Sequence, residues 1–257
     1  MATRPPGSKS QHPARGAVVS DLHLFARRSD GQHQFSQFES KLGHLDAIVL
    51  NGDTFDFRWS QLHSETESIT AATRWLESLI ERRPGCDIHF LRGNHDCLAA
   101  FTPALLRLSS DHARFHCHDH RLQLGDLLFL HGDCTNRRMD LAALERFRES
   151  WSHDRQRGRL AASLYSAVDA TGLCSLFHHC YFPAGQTVAR VAHHLDHVLP
   201  GWPQVISRCY FGHTHRPVHG FENNGVHFFN TGSGIRGMGF APLSFGWSGD
   251  PPQTTIQ

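Results

Sequence analysis

Three short apolar runs, each followed at once by polar residues, constrain the fold of this chain most strongly. They lie in GAVVSDLHL (16–24), DAIVLNGD (46–53) and CDIHFLRGNHD (86–96). Each run has the length and composition of a buried strand. The segments between them space their apolar residues as helices do: Phe35, Phe38, Leu42 and Leu45 in the first, and Ile69, Ala72, Trp75, Leu76 and Leu79 in the second. This alternation predicts an α/β fold, with a largely parallel sheet covered by helices.

The second half of the chain changes in texture. ARFHCHDHRLQLGDLLFLHGD (113–133) predicts short strands with a turn at Gly-Asp (125–126), and residues 138–200 carry helical patterns without a strand signal. Strands return in ISRCYFGH (206–213), and PVHGFENNGVHFFNTGSG (217–234) predicts a hairpin that turns at Asn-Gly. We therefore expect a disordered leader at residues 1–15 and one domain over residues 16–257. A helical cap at about 138–200 interrupts that domain.

Composition excludes several classes of protein. The 257 residues have a net charge of +1, so the chain has no long-range field for nucleic acid or for a membrane. Its seven cysteines are odd in number and form no C-x-x-C pair, which argues against a disulfide framework and a zinc knuckle. The first residues contain no apolar core of a secretion signal, and we expect a cytoplasmic protein.

Five predicted strands end in stretches that share the same polar residue types. These are D-L-H at 21–23, G-D-T-F-D at 52–56, G-N-H-D at 93–96, H-G-D at 131–133 and G-H-T-H at 212–215. Ligands of open α/β sheets bind at the carboxyl ends of the strands, so we expect the five stretches to converge. Asp, His and Asn without Cys suit Mn, Fe, Zn or a similar divalent ion. The glycines allow sharp turns and close approach.

Read in this order, the five motifs resemble those of the calcineurin-like metallophosphoesterases over roughly residues 16–235. The resemblance implies a four-layer α/β/β/α sandwich, interrupted here by the helical cap. It also implies two divalent metal ions, with Mn as the first choice and Fe, Zn or Mg as alternatives. One ion would be held by Asp21, His23, Asp53 and His215, and the other by Asp53, Asn94, His131 and His213, with Asp53 shared.

The chemistry of a phosphoesterase explains these residue types. Two ions bring a charge of about +4 and two carboxylates about −2, which leaves positive charge to meet a phosphate. A hydroxide between the ions is then the expected nucleophile, rather than a side chain. In the resemblance His95 stabilises developing charge or protonates the leaving oxygen. We expect Asp96 to orient His95, and Asp56 and Asp133 to make supporting hydrogen bonds or to cap loops.

The predicted cap carries the indications of substrate. From residue 136 to residue 159 there are seven arginines and four acids, and the segment that follows, up to Phe182, is rich in apolar residues. Such a cap would suit a substrate with a phosphate and an apolar part, and Arg58, Arg137 and Arg138 are the candidate phosphate contacts. The alternative is a helical hairpin packed on its own core with solvated arginines, and Arg58 could equally be a surface residue.

The motifs SDLHL, LHGD and GHTHRP also resemble those of the UDP-2,3-diacylglucosamine pyrophosphatases of lipid A synthesis. This resemblance implies a nucleotide-lipid substrate and peripheral contact of the cap with the inner membrane face. That subgroup often has Arg after Gly-Asn, where this chain has His95, the residue common in the wider superfamily. The sequence leaves the oligomeric state open.

Three alternatives share the motifs. One is a general phosphodiesterase or phosphomonoesterase acting on another small phosphate ester. Another is a nuclease, for which we would expect a larger basic surface, so nucleic acid is not an expected partner. The third is a non-catalytic scaffold on this fold, as in the retromer subunit, which would be expected to lose metal ligands that are all present here.

Two further histidine clusters have metal-like spacing. His116, His118 and His120 would lie on one face of a strand, and His193 and His197 are four residues apart on a predicted helix. The first lacks a carboxylate or glycine-turn context and the second lacks a third ligand. We interpret the first cluster as a solvated sheet edge and the second as a polar helix face.

Overall fold

The structure is a computed structural model that describes residues 13–158, 161, 178 and 180–248. Nearly all of the predicted leader and residues 162–177 of the predicted cap lie outside the described residues. The first strand begins at Ala14, within the last two residues of the predicted leader.

Ten strands and six α-helices make up the described part of the chain. The strands are β1 (Ala14–Val19), β2 (Ala47–Asn51), β3 (Asp87–Leu91), β4 (Phe115–His118), β5 (Arg121–Leu124), β6 (Leu127–Leu130), β7 (Arg208–Phe211), β8 (Pro217–Asn223), β9 (Val226–Thr231) and β10 (Leu243–Trp247). The helices are α1 (Gly31–Glu39), α2 (Glu65–Arg82), α3 (Thr102–Asp111), α4 (Leu141–Ser152), α5 (Ala184–Val198) and α6 (Trp202–Val205).

Two five-stranded sheets pack face to face, in the orders β10-β1-β2-β3-β4 and β5-β6-β7-β9-β8. Strands β1 to β4 are parallel, whereas β10 pairs antiparallel with β1. The buried apolar residues Val18, Val49 and Leu91 of the first sheet pack against Phe129 and Tyr210 of the second. Helices cover both outer faces, which confirms the predicted four-layer sandwich.

Both faces of the first sheet are buried, which explains its continuous apolar strands. In β1, Val18 faces the second sheet while Ala17 and Val19 face the helices α1 to α3. Ser64 begins α2 by accepting a hydrogen bond from the Glu67 N–H at 3.1 Å. The first helix is shorter than the predicted apolar spacing, which ran to Leu45: α1 ends at Glu39.

The strand connections of the second sheet agree with the sequence. A turn at Gly125-Asp126 joins β5 to β6, and β8 and β9 form the predicted hairpin. Asn224 and Gly225 at its tip have φ of 54° and 76°, the left-handed pair that a two-residue hairpin turn needs.

The described helices of the cap region pack on the second sheet. Leu144 of α4 and Val188, Val191 and Leu195 of α5 pack with Phe228 on the outer face of the second sheet. The predicted insertion is therefore also part of the outer helical layer. Within the described residues no helix combines the length and apolar character needed to cross a membrane.

The first histidine cluster is only partly a solvated edge, because it includes a residue that the sequence pattern missed. His89 of β3 is 2 % exposed, and its Nδ1 lies 3.1 Å from Nε2 of His118 on the edge strand β4. His116 is paired through Nε2 with Asp87 Oδ1 at 3.1 Å. Burial lowers the pKa of His89 to about 3 and that of His118 to about 4, and neighbouring imidazoles add to both shifts. The rings of His193 and His197 lie together on α5, with His197 exposed.

The buried imidazole of His89 makes the fold sensitive to acid. The pKa of His89 is about 3 in the folded chain and has the ordinary value of 6.5 in the unfolded chain. As pH falls below 6.5, His89 is therefore protonated in the unfolded chain but stays neutral in the folded chain. At pH 5 this removes about 2 kcal/mol from the free energy of unfolding. Urea unfolding of His89→Asn in a chelator at pH 7 and pH 5 is expected to show a smaller pH-dependent loss than wild type.

His197→Asn, an exposed change on α5, is the matched control and should keep the wild-type loss. Equal losses in His89→Asn and wild type would contradict the role of His89.

Candidate metal centre

Loops at the carboxyl ends of β1, β2, β3, β6 and β7 bring the seven predicted ligands together. Six of them are at least nine-tenths buried, and His213 is partly exposed. The other six are Asp21, His23, Asp53, Asn94, His131 and His215. Polar groups buried at this density need partners or ions to compensate for lost hydration.

The first predicted set forms a four-residue cluster. His23 Nε2 lies 3.0 Å from His215 Nε2, 3.8 Å from Asp53 Oδ2 and 3.9 Å from Asp21 Oδ1. His215 Nε2 is 3.4 Å from Asp21 Oδ1. One ligand atom from each of the four residues lies within 4.8 Å of the others, which suits a single ion.

The second set shares Asp53 with the first. Its Oδ2 lies 3.3 Å from His131 Nε2, and the same nitrogen is 3.3 Å from Asn94 Oδ1. His213 joins Asp53 and His131 in a second group whose ligand atoms lie within 4.8 Å of one another. Asp53 therefore stands between the two groups, in the position of a bridging ligand.

The protonation of these groups suits divalent ions. Burial lowers the pKa of His213 to about 4 and that of His215 well below its usual range, so both rings are neutral, the form that binds metal. Burial alone would raise the pKa of Asp53, but the facing His131, His95 and His23 hold it well below the usual range. The oxygen and nitrogen donors fit two divalent ions such as Mn, Fe, Zn or Mg.

Five of the predicted ligands adopt a backbone conformation that residues with side chains rarely occupy. Their φ values are 53° for Asp21, 48° for His23, 51° for Asp53, 66° for His213 and 56° for His215. Backbone hydrogen bonds hold the loops there: Asp21 N–H donates to the Gly52 carbonyl at 3.0 Å, and His23 N–H donates to the Asp53 carbonyl at 2.9 Å. The strained loops are thus fixed by one another.

Two glycines let the ligands approach. A side chain on Gly93 would overlap the Asp53 carboxylate, and one on Gly52 would overlap the His131 ring. Gly52 also has a φ of 86°. The motif glycines are therefore part of the ligand packing, because only a missing Cβ allows these distances.

Asp56, and not Asp96, contacts His95. His95 Nδ1 donates to Asp56 Oδ1 at 3.0 Å, and His23 Nδ1 lies 3.3 Å from Asp56 Oδ2. Burial alone would lower the pKa of His95, but Asp56 and Asp53 raise it above its ordinary value. The prediction that Asp96 orients His95 is wrong, because its carboxylate accepts the backbone N–H groups of Gly93 at 2.6 Å and Thr54 at 2.8 Å.

Two polar residues that the motifs did not indicate support the metal ligands. Asn136 Oδ1 accepts from His213 Nε2 at 2.9 Å, which leaves Nδ1 of that ring free of the proton. His178 stacks on His215 with ring centroids 4.7 Å apart, and its Nδ1 donates to the Thr214 carbonyl at 3.1 Å. Asn136 follows the H-G-D motif by three residues, but no spacing in the sequence connects His178 to the site.

A cavity of about 580 Å³ opens over the two groups. One part of its lining is polar and the other part is apolar. The polar lining includes Arg28, Asp53, Asn94, His95, Asn136, Arg137, His178, His213 and His215, and the apolar lining consists of Met139, Phe147, Trp151, Tyr181 and Phe182. Arg28 is 5 % exposed and was not indicated by the motifs.

The predicted substrate arginines have different positions. Arg137 lines the cavity. Arg58 forms an ion pair with Asp154 at 2.9 Å and lies outside the described lining, so its interpretation as a phosphate contact is not supported by its position. Arg138 is exposed and also lies outside that lining.

Gly93→Ala is expected to remove metal, because its methyl group would overlap both the carboxylate and the backbone nitrogen of Asp53. The measurement is metal content after dialysis against Mn²⁺, with circular dichroism as the test of folding. Gly43→Ala is the matched control, since a Cβ there meets no atom of the described structure within 4 Å. Full metal content in Gly93→Ala would contradict the packing argument.

Comparison with known proteins agrees with this geometry. A family model described as calcineurin-like phosphoesterase matches residues 14–217. Among solved structures, a dimetal phosphatase from Danio rerio is similar at 11% sequence identity and a TM-score of 0.43, over 92% of this chain and 100% of that one. No curated protein matches the chain. With the match over most of its length, the chain belongs to the calcineurin-like phosphoesterases and is a metal-dependent hydrolase of phosphoester bonds.

Proposed function

We propose that this hydrolase cleaves a phosphoester or pyrophosphate bond in a small molecule that joins phosphate to an apolar group. The best specific candidate is a nucleotide-lipid of the UDP-2,3-diacylglucosamine type. The observation that carries this proposal is the cavity over the metal centre, which is lined by both cationic and apolar side chains. Small-molecule sites of this size are mostly apolar, with a few polar groups that fix the orientation of the ligand.

The polar part of the cavity lining is suited to phosphate. Arg28 and Arg137 supply guanidinium groups beside the ligands, and guanidinium matches phosphate oxygens in geometry as well as charge. Arg28 also lies close to the carboxylate of Asp56, at 3.9 Å from Nη2 to Oδ2. A substrate with two adjacent phosphates would use both the metal centre and these cations.

The apolar part of the cavity lining favours a small amphipathic substrate over nucleic acid. It is formed by residues of the cap region, including Met139, Phe147 and Phe182. Several arginines of this region face acidic partners: Arg148 pairs with Asp133, and Arg157 with Asp154. The basic surface is therefore smaller than the sequence count implies, and the net charge of +1 gives little attraction for a polyanion.

Bound divalent ions would supply Lewis acidity and lower the pKa of a coordinated water, and we expect Mn²⁺ to be the native metal. The protein supplies the proton at the other end of the scissile bond. Asp56 accepts the Nδ1 proton of His95, so Nε2 is the nitrogen left for the leaving oxygen.

A nucleotide-lipid substrate also implies a location. Such a molecule resides in a bilayer before it binds, so we expect a cytoplasmic protein that touches the inner membrane face through its cap. The exposed Tyr181 beside the cavity, 43 % accessible, supports this side as the contact. Vesicle flotation tests the contact directly.

The proposal is tested with a panel of substrates in Mn²⁺: 4-nitrophenyl mono- and diesters, nucleotide-sugars, UDP-diacylglucosamine and single-stranded DNA. We expect the highest kcat/KM for the nucleotide-lipid, by about 100-fold over nucleotide-sugars without acyl chains, because each buried methylene adds to binding. Asp53→Asn should lose activity on every substrate together with its metal. Preference for DNA, or equal rates with and without acyl chains, would overturn the proposed substrate.

Arg137→Gln is expected to raise KM for a pyrophosphate substrate about tenfold, because a charge-assisted hydrogen bond to phosphate is lost. Arg138→Gln is the matched control: the neighbouring arginine is exposed outside the described cavity lining, and its KM should stay at the wild-type value. Equal effects of the two changes would indicate a general effect of charge.

A further inference from the structure

The cap helix α4 places an aromatic ring against His95. The Trp151 and His95 ring centroids are 4.8 Å apart, with a tilt of 50° between the rings. The guanidinium carbon of Arg58 lies 4.6 Å from the centroid of a Trp151 ring. Trp151 therefore contacts the imidazole that is bound to Asp56, and it does so from a helix that carries no metal ligand.

The segment after α4 ties Trp151 to the loop that carries Asp56. Asp154 forms the ion pair with Arg58, and the Arg157 N–H donates to the Arg58 carbonyl at 2.8 Å. Gln156 Nε2 donates to the carbonyls of Ser60 at 3.0 Å and Leu62 at 2.7 Å. Four contacts thus join residues 154–157 to residues 58–62, so Trp151 and Asp56 are held by the same pair of segments.

One turn before Trp151, the helix is tied to the other half of the centre. The buried Arg148 makes two hydrogen bonds to Asp133, of 2.6 Å from Nε and 3.0 Å from Nη2. Asp133 is two residues from the metal ligand His131. Contacts on both sides of Trp151 therefore fix α4 against the metal centre. The position of Trp151 does not depend on bound substrate.

We propose that Trp151 is a positioning residue that holds the His95 imidazole against Asp56, with Nε2 directed to the leaving oxygen. Asp56 holds the ring by one hydrogen bond at Nδ1, and the His23 ring packs against it edge-on with centroids 4.8 Å apart. The Trp151 ring packed on the imidazole further limits its rotation. The proposal rests on the proposed role of His95, and it gives the cap a part in the chemistry that does not depend on which substrate fills the cavity.

Two small diesters that differ only in the leaving group provide the test: methyl 4-nitrophenyl phosphate and methyl phenyl phosphate. 4-Nitrophenolate leaves without a proton, whereas phenolate leaves poorly unless it is protonated. Trp151→Ala is expected to lower kcat for the phenyl ester by about 10- to 100-fold, the range for a misplaced catalytic group, and to change the nitrophenyl ester only a few-fold. Metal content should stay at the wild-type value, and Trp151→Phe should restore most of the rate.

Phe147→Ala is the matched control on the same helix. Phe147 lines the same cavity, and its ring centroid is 6.0 Å from that of Trp151. Truncation at this position is expected to leave the ratio of the two rates at the wild-type value, whatever it does to KM. A shifted ratio in Phe147→Ala would show that any loss of cap packing has the same effect, and it would overturn a special role for Trp151.

The double variant His95→Gln/Trp151→Ala separates the two hypotheses. If Trp151 acts through His95, the double variant is no slower on the phenyl ester than His95→Gln alone. Losses that multiply would overturn the positioning role. Equal loss on both esters in His95→Gln would instead overturn the role of His95 as an acid, and the multiplication test would still decide whether Trp151 acts through that residue.

Discussion

The burial of Asp53 between two sets of ligands is the constraint on which the rest of the centre depends. A carboxylate that is 1 % exposed must be compensated from within the protein. The backbone N–H of His95 donates to Oδ1 of Asp53 at 2.8 Å, and the His131 ring faces Oδ2 of Asp53. These partners come from loops of both sheets, so the two sheets cannot shift against each other without exposing the charge. The ligand residues with positive φ and the motif glycines Gly52 and Gly93 allow the surrounding side chains to approach this carboxylate closely.

The architecture could be predicted from the sequence because its signals are local. A continuous apolar strand, a polar loop at its end and a helical repeat each occupy fewer than about 20 residues, and parallel sheets place such loops on one edge. The same reasoning predicted the seven ligand positions that the structure brings together. The end of α1 at Glu39 was not predictable in this way, because Leu42 and Leu45 keep their buried contacts in a loop that resembles a helix in pattern.

The supporting residues were harder to predict, since they are neighbours in space and not in sequence. Asp96 adjoins His95 in the chain, yet the strand-to-helix turn directs its carboxylate to the backbone of Gly93 and Thr54. Asp56, 39 residues away from His95 in the chain, makes the contact with His95 that was expected of Asp96. Arg58 follows a ligand loop closely, but an acid from the cap binds it first. His178 reaches His215 only because the chain returns from the cap to β7, a connection with no local signature.

The pair formed by Arg148 and Asp133 has a consequence for how such caps can be exchanged. Asp133 belongs to the motif loop of the core, whereas Arg148 belongs to the cap helix, and both side chains are almost completely buried. Removing the cap would leave a buried carboxylate without its cation, at a cost of about 3–5 kcal/mol. A chimera that carries a different cap must therefore bring a cation to the place of Arg148, or replace Asp133 in the same step. The design of such a chimera must therefore include this buried ion pair as well as the two ends of the inserted segment.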